Sequence, residues 1–187
     1  MEPALQLLAV PGLPLVQAGD DLAALVVANA RSAGITLQPH DVVVLAQKVV
    51  SKAEGRCVRL ADVTPSPRAV ELAAQVQRDP RLVELILRES RRVVRAVPQV
   101  LIVEHRLGMI MANAGIDQSN VNASGDPEQA LLLPVDPDGS AAQLRARFQA
   151  LAGTPVGVII NDSFGRPWRQ GTVGVAIGAA GVTSLLD

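Results

Sequence analysis

Cysteine is almost missing from these 187 residues: Cys57 stands alone. No internal disulfide can form, and a reducing compartment suits the chain. Tyrosine is absent and the aromatic share is 2%, so the core must be assembled from Leu, Val, Ile and Ala. No apolar run nears the roughly 20 residues of a membrane-spanning helix. The amino terminus, MEPALQLLAV, has neither the basic start nor the cleavage site of a secretion signal. A net charge of -1 offers no electrostatic footprint for nucleic acid. The expected location is therefore cytoplasmic, with neither membrane nor nucleic acid as partner. With two histidines and no His/Cys cluster, the composition argues against a zinc-type metal site. Neither G-x-x-x-x-G-K-[ST] nor G-x-G-x-x-G occurs, which argues against the standard nucleotide-binding folds.

What is present points to an ordered α/β protein. Hydrophobic residues make up 49% and charged residues 19%, enough for one well-buried core or two small lobes. Fifteen arginines face only two lysines, Lys48 and Lys52, both inside AQKVVSKAEGR. An ammonium group is a compact, rotatable charge suited to a phosphate oxygen, where arginine imposes a planar fork. The alternative is a chance occurrence or a surface pair with Glu54.

Taken along the chain, residues 5–10 read as a short strand ending in the turn PGLPLV. Asp20 and Asp21 cap a helix through about Ser32, stopped by Gly34. The continuous apolar run DVVVLA reads as a buried strand that delivers Gln47 and Lys48 at its end, with Ser51 and Lys52 in a loop or short helix. Thr64 or Ser66, each followed by proline, caps a helix through Val76, and Asp79 with Pro80 begins another running to about Ala96. Arg88, Arg91, Arg92 and Arg95 recur at helical spacing on this second helix. They read as a solvated face paired with Glu84 and Glu89. Residues 100–104 and 109–111 predict a hairpin, with His105 at its turn and His40 before a strand both read as surface histidines. DPDGSAAQLRARFQALAG predicts a capped helix ending at Gly153, and residues 171–181 another buried strand.

Two stretches carry candidate chemistry. In ANAGIDQSNVN, Asn113, Asp117, Ser119 and Asn120 crowd a loop: either an Asx-turn cluster satisfying its own backbone, or a carboxylate and amides offered to a hard cation. In NDSFGRPWRQGTVGVAIG, a strand pattern runs into Asp162 and Ser163, placing a carboxylate and a hydroxyl at a sheet rim. The plainer alternative for that stretch is only a tight turn with a partly solvated Asp. Arg166 and Arg169 could grip a substrate phosphate or carboxylate bidentately, or form a structural ion pair. Lysines for phosphate and two carboxylates for a divalent cation together point to a metal- and phosphate-dependent enzyme.

In chain order, GLPLVQAGDDLA, VVVLAQKVVSKAEGR, NAGIDQSNV, LLLPVDPDGSA and NDSFGRPWRQGTVGVAIG resemble the coenzyme F420-0:L-glutamate ligase family, over nearly the whole chain. The resemblance implies an unusual α/β fold of mixed sheets with flanking helices, one ligase domain over 1–187, and an intertwined homodimer. It implies a GTP-dependent, GDP-forming ligase that adds L-glutamate to F420-0 through an acyl phosphate, with magnesium or manganese as cofactor and potassium as a candidate activator. Position by position, it implies nucleotide contacts from Leu13, Pro14, Leu15, Val16, Gln47, Lys48, Lys52 and Asn120. Metal ligation would fall to Asp117, Asp162 and Ser163, with Lys52, Asp117 and Asp162 as catalytic residues. Family members continue beyond SLLD into a further nucleotide-binding loop and metal ligand, so the resemblance also implies a shortened C-terminus. The rival readings are a non-catalytic GTP- and metal-binding or dimerisation module, and an amide ligase acting on another acidic metabolite.

Overall fold

A computed structural model describes residues 5–118, 128–165 and 170–184. Its first helix, α1 (Leu22–Ser32), starts where the Asp21 carboxylate accepts the Ala24 amide at 3.0 Å, satisfying a donor the helix cannot satisfy itself. The other Asp21 oxygen takes Arg147 Nε at 2.8 Å. That bond ties α1 to α5 (Pro137–Ala152), which is capped by Asp136 and ended by Gly153 in the left-handed conformation. Both helices cover a three-stranded sheet. Its central strand, β7 (Gly157–Gly165), pairs in parallel with β1 (Val42–Ala46) and antiparallel with β8 (Thr172–Ala180). Val26, Val27, Leu45, Phe148, Val158 and Ile160 form the centre of this core. Each such side chain contributes roughly 1.5–3 kcal/mol when fully buried.

Two strands expected to be buried throughout are not. In β1 only Val43 and Leu45 are covered, while Val42 and Val44 face outward. It is an edge strand with one face packed, so burial follows the two-residue pleat. β8 is the opposite edge and alternates likewise. At Gly178 in β8 an added Cβ would collide with the backbone of Pro137, so only glycine lets α5 approach this closely. Residues 5–10 take no regular structure, against the expectation of a strand; residues 5–9 run exposed and Val10 packs against the first core.

A second core lies between α3 (Pro67–Val76), α4 (Pro80–Arg88) and the antiparallel sheet β3 (Ser90–Val97), β4 (Val100–His105), β5 (Ile110–Ala112). The short ladder β2 (Cys57–Arg59) with β6 (Gln129–Leu131) adds Ala130 to it. Ser66 and Asp79 cap α3 and α4, each with proline in the first turn, as expected. The expected continuation of α4 to Ala96 is wrong. The helix stops at Arg88, and Ser90–Val97 turns into a strand paired with β4. Arg91, Arg92 and Arg95 are therefore strand residues. Arg91 and Arg92 bond Glu104 across the ladder, at 3.6 and 2.6 Å, and only Arg88 pairs with Glu84 in helical fashion. The β-branched pair Val93–Val94 favours the pleated partner over helix extension. His105 corrects a second expectation: it is 0% exposed, while His40 is on the surface. Among the described residues, no helix is long and apolar enough to cross a membrane.

Candidate active site

Helix α2 (Gln47–Ala53) begins directly where β1 ends. Four-residue spacing gives it two faces. Gln47 and Ser51 point inward and are buried, with Ser51 Oγ donating to Gln47 Oε1 at 2.9 Å. Lys48 and Lys52 share the other face, both half-buried. Gln47, expected at the nucleotide, thus spends its side-chain oxygen on its own helix. Lys48 reaches across to Asp117, Nζ to Oδ2 at 2.6 Å.

Asp117 is delivered by a left-handed turn. Asn113, Ala114 and Gly115 have φ of 53°, 54° and 67°, a conformation costing a residue with a side chain about 1–2 kcal/mol. Complete burial of Ala114 in the second core offsets that cost. At Gly115 a Cβ would meet Leu133 Cδ1 at 3.0 Å. Beyond the turn, Asp117 and Leu131 exchange two backbone hydrogen bonds, at 3.0 and 2.8 Å, which fix the carboxylate opposite α2.

Asp162 and Ser163 do not follow a strand, as expected, but lie within one. β7 continues to Gly165 because Ser163, Phe164 and Gly165 pair with Gly174, Val173 and Thr172. By pleat alternation Asp162 shares a side with the buried Val158 and Ile160, which draws its carboxylate inward, while Ser163 is exposed. The β8 strand bulges opposite the Ile160–Asn161 step, immediately before Asp162, a device that re-aims side chains beside sites. Burial pushes the Asp162 carboxyl above its ordinary value. The Ser163 amide, 2.7 Å from Oδ1, opposes this, the charge of Asp117 adds to it, and Lys48 counters it. Lys48, Asp117 and Asp162, far apart in sequence, therefore share one electrostatic neighbourhood.

The remaining expected residues stand as follows. Leu13, Pro14 and Leu15 form an exposed irregular stretch, and Val16 packs against the first core. Gly19 N donates to Ala53 O at 2.8 Å, tying the chain just after this stretch to the end of α2. Asn120, Arg166 and Arg169 lie outside the described residues. Sequence reading missed Arg56, which bonds the end of α2 through its amide and Leu133 O through its Nε; a lone arginine after a glycine carries no signal of that. For a cation, the donors are all hard oxygens: two carboxylates that repel each other and a neighbouring hydroxyl, a set that magnesium or manganese accepts. Among the described residues no group of three or more His, Cys, Asp or Glu could hold a metal. Water or phosphate oxygens would complete the shell, as is usual for magnesium.

Residues 12–187 match the family described as F420-0:Gamma-glutamyl ligase. The chain belongs to that family. The coenzyme F420:L-glutamate ligase of Methanopyrus kandleri is 48% identical over 185 residues, covering 99% of this chain and 70% of that protein. The Methanothermobacter thermautotrophicus ligase of the same name is 44% identical over 183 residues, 98% of this chain and 71% of its own length. That of Archaeoglobus fulgidus is 46% identical over 179 residues, 95% and 68%. Membership of the F420-0:gamma-glutamyl ligase family places the neighbourhood of Lys48, Asp117 and Asp162 in a chain of a ligase family.

Proposed function

We propose that this chain is a GTP-dependent ligase joining L-glutamate to F420-0, with magnesium or manganese held by Asp117, Asp162 and Ser163. The observation that carries it is the convergence of Lys48 with two carboxylates, one of them raised by burial, at the junction of β1–α2, the Asp117 turn and β7. Family membership supplies the substrate class.

The terminal carboxylate of F420-0 attacks the γ-phosphorus of GTP; the bond to GDP breaks and an acyl phosphate forms. The glutamate amine then attacks the acyl carbon, phosphate leaves, and the amine releases a proton as the amide forms. When bound, the cation would neutralise phosphate charge and align the reacting oxygens. Lys52, on the same helical face as Lys48, would meet the charge that moves with the phosphoryl group. Leu13, Pro14, Leu15, Val16, Gln47, Lys48 and Asn120 would line the nucleotide, Gln47 through its backbone, and Arg166 and Arg169 would hold the substrate's acidic end. Potassium activation belongs to the same proposal.

A homodimer completes the reading. Leu5, Leu15 and Val44 are 88%, 67% and 60% exposed. A groove of about 420 Å³, lined by Leu8, Val10, Leu13, Val42 and Val44 among others, runs along the open edge of β1. Apolar surface of this extent beside a strand that is an edge among the described residues is what a second copy would cover.

Mass spectrometry of F420-0 incubated with the chain, GTP, manganese and L-glutamate tests the activity. A gain of glutamyl mass dependent on both GTP and metal is expected. GTP binding without any gain would favour the non-catalytic reading, and glutamylation of a different acidic acceptor would favour the other ligase reading.

A further inference from the structure

We infer that Glu89 and Arg56 are positioning residues, holding the lysine helix and the Asp117 segment in mutual register from behind the site. The inference takes its ligand from the proposed function, but its structural part stands on bonds within the chain. Arg56 lies between α2 and β2. Its amide donates to Ser51 O at 2.9 Å, closing the end of α2, and its carbonyl accepts the Leu132 amide at 3.1 Å. Its Nε donates to Leu133 O at 2.9 Å. One residue is thus bonded to both segments that carry the ion pair: α2 with Lys48, and the end of β6, whose Leu131 pairs with Asp117. The Lys48–Asp117 contact closes the ring at the front.

Glu89 grips this ring from the second core. Its Oε2 accepts Arg56 Nη2 and Arg106 Nε, each at 3.0 Å, and its carbonyl accepts the Arg106 amide at 2.9 Å. His105 Nδ1 accepts the Leu107 amide at 3.0 Å. The ring proton therefore sits on Nε2, which faces Glu89 Oε2 at 3.7 Å. Only 8% of Glu89 is exposed, so removing its charge leaves two guanidinium groups without their anion in a water-poor place. Lysine could not replace Arg56, because the residue bonds in two directions at once through a rigid fork.

The test compares E89Q and R56K with E84Q in the full chain. Glu84 sits on α4, which Glu89 directly follows, and is similarly buried, but it bonds Ser66 and Arg88 and makes no described bond to α2. Two readouts are taken: amide hydrogen exchange at Asp117, Leu131 and Leu132, and titration with Mn²⁺ and GTP. E89Q and R56K are expected to speed exchange at those amides and to weaken Mn²⁺ binding about 10- to 100-fold, as loss of outer-shell support does elsewhere. E84Q should leave both readouts at wild-type values even where it lowers the melting temperature equally. Wild-type exchange in E89Q and R56K, or equal changes in E84Q, would overturn the inference. If the wild type binds neither Mn²⁺ nor GTP, the proposed function fails instead, and exchange alone decides the positioning role. Should E89Q not fold, R56K carries the test, since it keeps the charge and loses the fork.

Discussion

At Asp162, function and stability pull in opposite directions. Burial and the Asp117 charge hold its carboxyl above the ordinary value of 3.8, so the ionised form is disfavoured in the fold. Ionisation therefore costs stability as pH rises from below that value through the raised one. Asp162→Asn is expected to abolish metal-dependent turnover yet raise stability by about 0.5–2 kcal/mol, a few degrees of melting temperature. The gain should vanish in strong acid. Asp117→Asn should also abolish turnover, with the fold retained in circular dichroism; full activity in both variants would remove the metal assignment. Lys52→Ala should weaken GTP binding about 10- to 100-fold, the worth of a charge-assisted bond. Arg91→Ala, which loses only a 3.6 Å contact to Glu104 on an exposed strand, should leave calorimetric GTP affinity unchanged. At this scale the residue types were legible in the sequence: a scarce lysine pair, and carboxylates in polar loops. That Lys48 meets Asp117 was not, because nothing local connects a helix start to a turn many residues later.

Among elements, the join between α4, β4 and the α2–β2 connection is electrostatic. Burial would raise the Glu89 carboxyl, but the facing His105 N–H and the charges of Arg56 and Arg106 outweigh it and hold it at about 2, against an ordinary 4.5. Of these, the two 3.0 Å arginine contacts are the short ones. A depressed carboxyl contributes stability that is present above the unfolded value and lost as pH falls toward the folded one. Stability should thus decline between about pH 4.5 and 2 in urea titrations of the wild type, and E89Q should show a flatter acid limb. The packing of α5 on β8 is steric instead: Gly178→Ala should cost about 1–3 kcal/mol in the same measurement, because Pro137 backbone must move. Caps at Asp21, Ser66, Asp79 and Asp136 were readable because each is a bond within three residues. The end of α4 was not. Arg88 to Arg95 keep helical spacing, and only the partner strand β4 decides that residues 90–97 extend.

For the molecule as a whole, the exposed leucines near the N-terminus and the position of β1 at the sheet edge among the described residues make self-association the outcome to measure. Light scattering behind a sizing column is expected to report a dimer. Val44→Glu, placing a charge on the outward face of β1, should give a folded monomer; a monomeric wild type would dismiss the proposal.

The sequence by itself determined the helix starts and most of the turns, since caps, prolines and glycines act over a few residues. It also determined the chemical inventory, two lysines and a few carboxylates at element ends, together with the family. Tertiary structure decided which face of β1 is covered, that Asp162 lies within a strand and half-buried, that His105 is interior, and that Arg56 and Glu89 stand behind the site. Those outcomes depend on strands and helices meeting across long sequence separations, where burial and opposite charge select partners that no local pattern names.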